Sequence, residues 1–114
     1  AEINITGNQN NQSVLQLGNT PKQLFSSING NGNTMTTDQE GLGQHYLDVS
    51  LTGNGNTASV TQTGDTQNKA TISITDAGGP AGINLTQTGG QVYNISTMCV
   101  TVSGCGTVTV RQGN

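Results

Sequence analysis

Residues 52–64 read TGNGNTASVTQTG, and inside them Gly53, Asn56, Ala58, Gln62 and Gly64 form the pattern G-x-x-N-x-A-x-x-x-Q-x-G. Stepping back 23 residues gives Gly30, Asn33, Met35, Gln39 and Gly41; a further 23 gives Gly7, Asn10, Gln12, Gln16 and Gly18. Going forward, the glutamine recurs at Gln87 and Gln112, each 25 residues after the one before. A period in this range is the signature of stacked repeats, in which each unit buries its apolar face only against its neighbours.

Aligned on this glutamine, the chain divides into five units, at about 1–18, 19–41, 42–64, 65–89 and 90–114, within a single domain. Each unit contains two stretches in which apolar and polar residues alternate. First strands are expected at Glu2–Thr6, Leu24–Asn29, Leu47–Thr52, Ala70–Thr75 and Ile95–Val100. Second strands are expected at Gln12–Leu17, Met35–Glu40, Ala58–Thr63, Ile83–Thr88 and Val108–Gln112. Period two is the mark of a half-buried strand, and no segment shows the period of a helix.

Successive side chains of a strand point to opposite faces. The first strands therefore supply three inward columns, Leu24/Leu47/Ala70/Ile95, Ile3/Ser26/Val49/Ile72/Thr97 and Ile5/Ile28/Leu51/Ile74/Cys99. The second strands supply Gln12/Met35/Ala58/Ile83/Val108, Val14/Thr37/Val60/Leu85/Val110 and the glutamines Gln16, Gln39, Gln62, Gln87 and Gln112. The expected fold is all-β, a flattened β-solenoid of five layers of 23–25 residues, each layer a strand, a turn and a facing strand. At about 4.8 Å per layer it stands roughly 24 Å tall. Gly7 with Asn10, Gly30 with Asn33 and Gly53 with Asn56 turn one edge, since Gly, and to a lesser degree Asn, accepts positive φ. The other edge varies and includes His45, read as a solvated turn residue. The fourth and fifth layers take two extra residues each at the first edge, in Asp76–Gly82 and Thr101–Gly106.

An inward glutamine left unpaired costs about 1–3 kcal/mol, but stacked amides satisfy one another if the layers stay in register. The column is thus read as a ladder rather than as solvent-exposed residues. The same stacking explains the composition. Only 8% of residues are charged, and like charges one layer apart repel by about 0.9 kcal/mol even in water. With 30% hydrophobic and 3% aromatic residues, the sequence is too poor in large apolar side chains for an ordinary globular core.

The run Gly53-x-x-Asn56-x-Ala58-x-x-x-Gln62 resembles the repeat Q-x-G-x-x-N-x-A-x-x-x-Q of curlins, the subunits of bacterial curli and curli-like fibres. The likeness covers nearly the whole length, strongly over residues 3–64 and more loosely beyond. The family's first glutamine, two before the glycine, is Ile5, Ile28 and Leu51 here, so an aliphatic column replaces one amide ladder. The cysteine pair is a second departure, and the holdfast-anchoring curlin relatives of stalked bacteria are another group the protein resembles. The resemblance implies secretion through an outer-membrane channel in the unfolded state, a nucleator as partner, and assembly into extracellular amyloid-like fibres. Those fibres would stand on the bacterial cell surface and serve adhesion, biofilm matrix or surface anchoring.

Independent of any family, the first layer begins on Ile3 and Ile5 and the last ends on Val108 and Val110, with no polar cap, helix or proline block. Repeat proteins that stay monomeric carry capping units. Fifth-on-first stacking is a heterologous contact that does not close, so self-association head to tail into a filament is expected. Leu15, Leu17 and Phe25 interrupt the polar exterior and are either a subunit contact or ordinary surface.

Cys99 and Cys105 have no metal-binding company and are read as a local disulfide in preference to free thiols. A start at Ala1-Glu2 would suit a mature protein whose export signal has been removed, which is the expectation here. A net charge of −3 with three scattered cations gives no footprint for nucleic acid, and no run is long enough for a membrane helix. The carboxylates Glu2, Asp38, Glu40, Asp48, Asp65 and Asp76 form no paired acid arrangement, so no catalytic, cofactor or metal site is expected and the protein is read as a non-enzyme. One alternative function remains. Thr61, Thr63, Thr86 and Thr88 form a two-by-two hydroxyl array of the kind ice-binding or other surface-recognising solenoids use.

Overall fold

The alternating pattern builds ten strands and no helix among the described residues, which in this computed structural model are 1–76, 81–90, 92–99 and 106–113. They are β1 (Glu2–Thr6), β2 (Asn11–Gln16), β3 (Gln23–Asn29), β4 (Thr34–Gln39), β5 (Tyr46–Thr52), β6 (Thr57–Thr63), β7 (Lys69–Asp76), β8 (Ala81–Thr88), β9 (Val92–Cys99) and β10 (Gly106–Gln112). Odd strands form one sheet in the order β1-β3-β5-β7-β9, and even strands form the other in the order β10-β8-β6-β4-β2. All pairings are parallel. The result is a β-solenoid in which each strand pairs with its counterpart one repeat away.

Inside and outside fall where alternation puts them. Leu24, Leu47, Ala70, Val49, Ile72, Ile28, Leu51 and Ile74 of the odd sheet face Met35, Ala58, Ile83, Val60 and Leu85 of the even sheet in one buried core. The Ser26 hydroxyl reaching the Met35 sulfur at 3.2 Å shows how closely the sheets approach. In layer 1 the same columns have a neighbour on one side only, and Ile3 and Ile5 remain 48% and 43% exposed.

Gly30 shows why the first edge is rich in glycine. Its φ is +129°, and a Cβ there would strike the carbonyl oxygen of Gly53 in the next layer. Positive φ and a stacked backbone together leave room for hydrogen only.

The fifth layer departs from expectation. Its first strand aligns at a 23-residue offset, so that Tyr93, Ile95 and Thr97 pair with Ala70, Ile72 and Ile74, and Cys99 pairs with Asp76. The expected columns had Ile95 on Ala70, Thr97 on Ile72 and Cys99 on Ile74, which is a slip of two residues. The second strand keeps the 25-residue offset, with Gln112 on Gln87. The β8–β9 connection is therefore shorter, and the β9–β10 connection longer, than expected. A slip of two preserves which residues face inward, so alternation alone does not detect it. The Cys99–Cys105 pairing lies outside the described residues.

Thr37 is the odd member of its column. It is buried between Val14 and Val60, and its hydroxyl has no hydrogen-bond partner. Replacing it with a valine of the same shape removes an unsatisfied buried group and leaves packing intact. Thr37→Val is expected to stabilise the fold by about 1 kcal/mol, seen as a higher urea midpoint at unchanged m-value. A lower midpoint would show that the hydroxyl is satisfied in solution.

Candidate assembly interface

Every rung of the glutamine ladder is present. Gln16 Nε2 donates to Gln39 Oε1 at 2.6 Å, Gln39 to Gln62 at 2.8 Å, Gln62 to Gln87 at 2.8 Å and Gln87 to Gln112 at 2.9 Å. Gln39, Gln62 and Gln87 are fully buried. The second N–H of these amides crosses the seam to a backbone carbonyl of the odd sheet: Gln39 to Gln23 at 3.3 Å, Gln62 to Tyr46 at 3.0 Å and Gln87 to Lys69 at 3.3 Å. These cross-bonds fix which end of each amide is nitrogen, and therefore give the ladder a direction. Among the described residues Gln16 Oε1 and Gln112 Nε2 have no bond within the molecule. One end of the stack offers an acceptor and the other a donor.

The residues expected to turn the first edge do more than turn it. Asn33 and Asn56 are fully buried, and neither has positive φ; among the described residues the one non-glycine that does is Gln9. Asn10 Oδ1 accepts the backbone N–H of Asn33 at 3.0 Å, and Asn33 Oδ1 accepts that of Asn56 at 2.9 Å. Their Nδ2 groups reach carbonyls of the layer above, Asn10 to Gly30 at 2.7 Å and Asn33 to Gly53 at 2.8 Å. Glycine supplies the conformation, and asparagine satisfies the polar backbone that the reversal buries.

The second edge holds a column that sequence reasoning missed, Lys22, His45 and Asn68. His45 is 1% exposed, which corrects its reading as a solvated turn residue. Asn68 Nδ2 donates to the Thr63 carbonyl, five residues back, at 2.8 Å; His45 Nε2 makes the matching bond to the Glu40 carbonyl at 2.7 Å. Lys22 Nζ donates to the Gly41 carbonyl at 2.8 Å. His45 Nδ1 accepts the backbone N–H of Asn68 at 3.2 Å, so the bonding assigns the neutral tautomer with its proton on Nε2. The only trace in the sequence is three unlike donors spaced one repeat apart.

Leu15, Leu17 and Phe25 are all exposed, at 44%, 49% and 39%, but the structure does not unite them. Leu15 and Leu17 lie on the outer side of the even sheet, and Phe25 lies on the odd sheet against Tyr46, with ring centroids 5.9 Å apart. Thr61 pairs with Thr86 and Thr63 with Thr88, so the hydroxyl array exists, bordered by Asp38 below and Arg111 above. A depression of about 170 Å³ beside Phe25 is lined by Glu2, Asn4, Ser27 and Asp48, smaller than the roughly 300–1,000 Å³ of small-molecule sites. Among the described residues no group of three or more His, Cys, Asp or Glu is placed to hold a metal ion. Comparison with protein-family models, with curated proteins and with solved structures finds no match to this protein.

Removing a rung should cost according to its position. Gln62→Leu removes three bonds at once, those to Gln39 Nε2, Gln87 Oε1 and the Tyr46 carbonyl, and should destabilise by roughly 3 kcal/mol or more, against about 1 kcal/mol for Gln16→Leu, which removes the single bond to Gln39. Urea unfolding of both variants checks the order; equal losses would show that the interior rungs are not specially dependent on one another.

Burial pushes the His45 pKa below its ordinary 6.5, outweighing the carbonyls of Glu40 and Gly64 that pull it up, while the nearby Lys22 charge lowers it further. The unfolded state then binds more protons than the folded one. The contribution of His45 is complete above about pH 6.5 and is lost as pH falls from there toward the lowered value. His45→Asn, which installs the Asn68 side chain one layer down, is expected to flatten the stability profile in that window. Identical profiles for the two proteins would show that His45 stays accessible to protons in the folded state.

Proposed function

We propose that this protein is a secreted structural subunit that polymerises end to end into an extracellular, curli-like amyloid fibre, for adhesion, biofilm matrix or surface anchoring, and that it has no catalytic role. The observation that carries the reading is the directional Gln16–Gln112 ladder, because its two open ends are chemically complementary. Gln112 Nε2 of one copy meets Gln16 Oε1 of the next, and the ladder continues across the junction with its direction unchanged. The exposed Ile3 and Ile5 support it, since a fifth layer seated on them restores the burial that their counterparts enjoy. Unpaired strand edges at both ends of the stack recruit further strands. The resemblance of Gly53–Gln62 to the curlin repeat adds an outer-membrane secretion channel and a nucleator as partners, and the bacterial cell surface as location.

Incubated protein should form filaments visible by electron microscopy, with a fibre reflection near 4.8 Å. Gln112→Glu sharpens the test. A carboxylate there still accepts the Gln87 N–H, so the subunit folds, but it faces Gln16 Oε1 of the next copy with like polarity. Elongation should slow at neutral pH and recover in acid as the carboxyl gains a proton. Unimpaired elongation at neutral pH would overturn the ladder junction, and persistent monomers of the parent protein would overturn the fibre.

The threonine array supports a second reading, recognition of ice or another ordered surface, because its four residues occupy adjacent register positions. Strong inhibition of ice recrystallisation by monomers that form no filaments would favour it.

A further inference from the structure

We infer that Asn31 and Asn54 are sites of spontaneous backbone modification whose reactivity the stack suppresses. The unstacked protein therefore has a limited time in which it remains able to stack. This inference rests on the fold and is independent of the fibre reading.

Each of these residues is followed by glycine, Gly32 and Gly55. Glycine offers no side chain to shield its amide nitrogen. In a flexible Asn-Gly segment that nitrogen, once deprotonated, attacks the Asn Cγ. The new N–Cγ bond closes a five-membered imide as the bond from Cγ to Nδ2 breaks and ammonia leaves. Water then opens the imide at one of its two carbonyls. One product is aspartate; the other is isoaspartate, in which the backbone runs through Cγ and is longer by one methylene. The net change is water taken up and ammonia released, with no oxidant or reductant.

Positive φ favours glycine at these two positions, although Gln9 adopts it at the equivalent place in the first layer, with φ of +57°. Gly32 and Gly55 have φ of +68° and +73°, and a Cβ on Gly32 would meet nothing within 4 Å. Glycine adopts that conformation without the strain a side chain would bring, and the reactive pair follows from its use there.

The fold holds both reacting groups. The Gly32 N–H donates to the Asn8 carbonyl at 3.0 Å, while Asn31 Oδ1 accepts the Asn8 N–H at 2.8 Å. One layer up, the Gly55 N–H donates to the Asn31 carbonyl at 2.9 Å, and Asn54 Oδ1 accepts the Asn31 N–H at 2.9 Å. In each case a single residue of the layer below grips the nucleophile with its carbonyl and the electrophile with its N–H. The nitrogen cannot lose its proton without breaking its bond to the carbonyl below, and Cγ cannot swing toward it without breaking the bond at Oδ1. Reaction must wait for local opening of the turn.

The two products differ in consequence. Aspartate retains an oxygen where the Asn8 N–H needs an acceptor. Isoaspartate inserts a methylene into the turn, moves the Gly32 N–H off the Asn8 carbonyl and shifts the register of the next strand, β4.

The test uses the full-length protein, held folded and held in urea in mildly alkaline buffer, with ammonia loss at each Asn followed by peptide mass spectrometry and the two products separated by electron-transfer fragmentation. Asn29-Gly30 supplies an internal reference for Asn-Gly reactivity in urea. Asn31 and Asn54 should match Asn29 in urea and slow by about tenfold or more when folded, the factor for an opening that costs at least about 1.4 kcal/mol. Equal rates in the two conditions would overturn the inference. After return to native buffer, molecules with isoaspartate at 31 should be depleted from the folded fraction, whereas Asn31→Asp should fold like the parent. Isoaspartyl molecules that fold as readily as unmodified ones would overturn the claim of limited competence.

Discussion

The structure depends on one constraint: a carboxamide buried between two sheets must find its donor and acceptor directly above and below. A spacing of about 4.8 Å allows a like amide to serve. Backbone pairing and aliphatic packing hold layers together, but neither says which layer position pairs with which. Sliding a strand by two residues keeps every backbone bond type and every inward side chain inward. Gln39, Gln62 and Gln87 remove that freedom, since each would be stranded by a slip. Their second N–H, bonded across the seam, ties the odd sheet to the same frame.

The fifth layer shows the constraint acting and lapsing. In the even sheet, β10 keeps Gln112 on Gln87 although the preceding connection is longer. In the odd sheet, the column Ile5, Ile28, Leu51 and Ile74 contains no amide. There the pairing advances by two residues relative to the glutamine count. An aliphatic column accepts any apolar or small residue of the right parity, so the length of the connections decides its register.

This division also explains what was legible in the sequence. Alternation with a fixed repeat was enough to place Leu47, Val49 and Leu51 inward and to stack the glutamines, because both follow from period and parity. The edges follow neither rule. Asn33 looked like a residue chosen for backbone conformation; its buried amide bonding becomes apparent only when the layer above is in place. His45 looked solvated because polar turn residues usually are, yet its ring occupies the position that Asn68 fills one layer up. The shared property of Lys22, His45 and Asn68 is the ability to donate to a carbonyl that the chain reversal has buried. Residue type does not reveal that property when three different side chains provide it.

A stack of this kind has an energetic asymmetry that ordinary domains lack. An interior layer buries its apolar and amide groups against two neighbours, whereas a terminal layer does so against one, as Ile3 and Ile5 show beside their buried counterparts Ser26 and Ile28. The cost of two terminal layers is fixed, while each added interior layer contributes its full share. In a protein with only 30% hydrophobic residues, that fixed cost is a large part of the balance. In the assembly proposed above, lengthening the stack would reduce it per layer, and the opposite polarity of Gln16 and Gln112 would set the one orientation in which another copy adds. On that proposal, the ladder that selects register within the protein would also select direction beyond it.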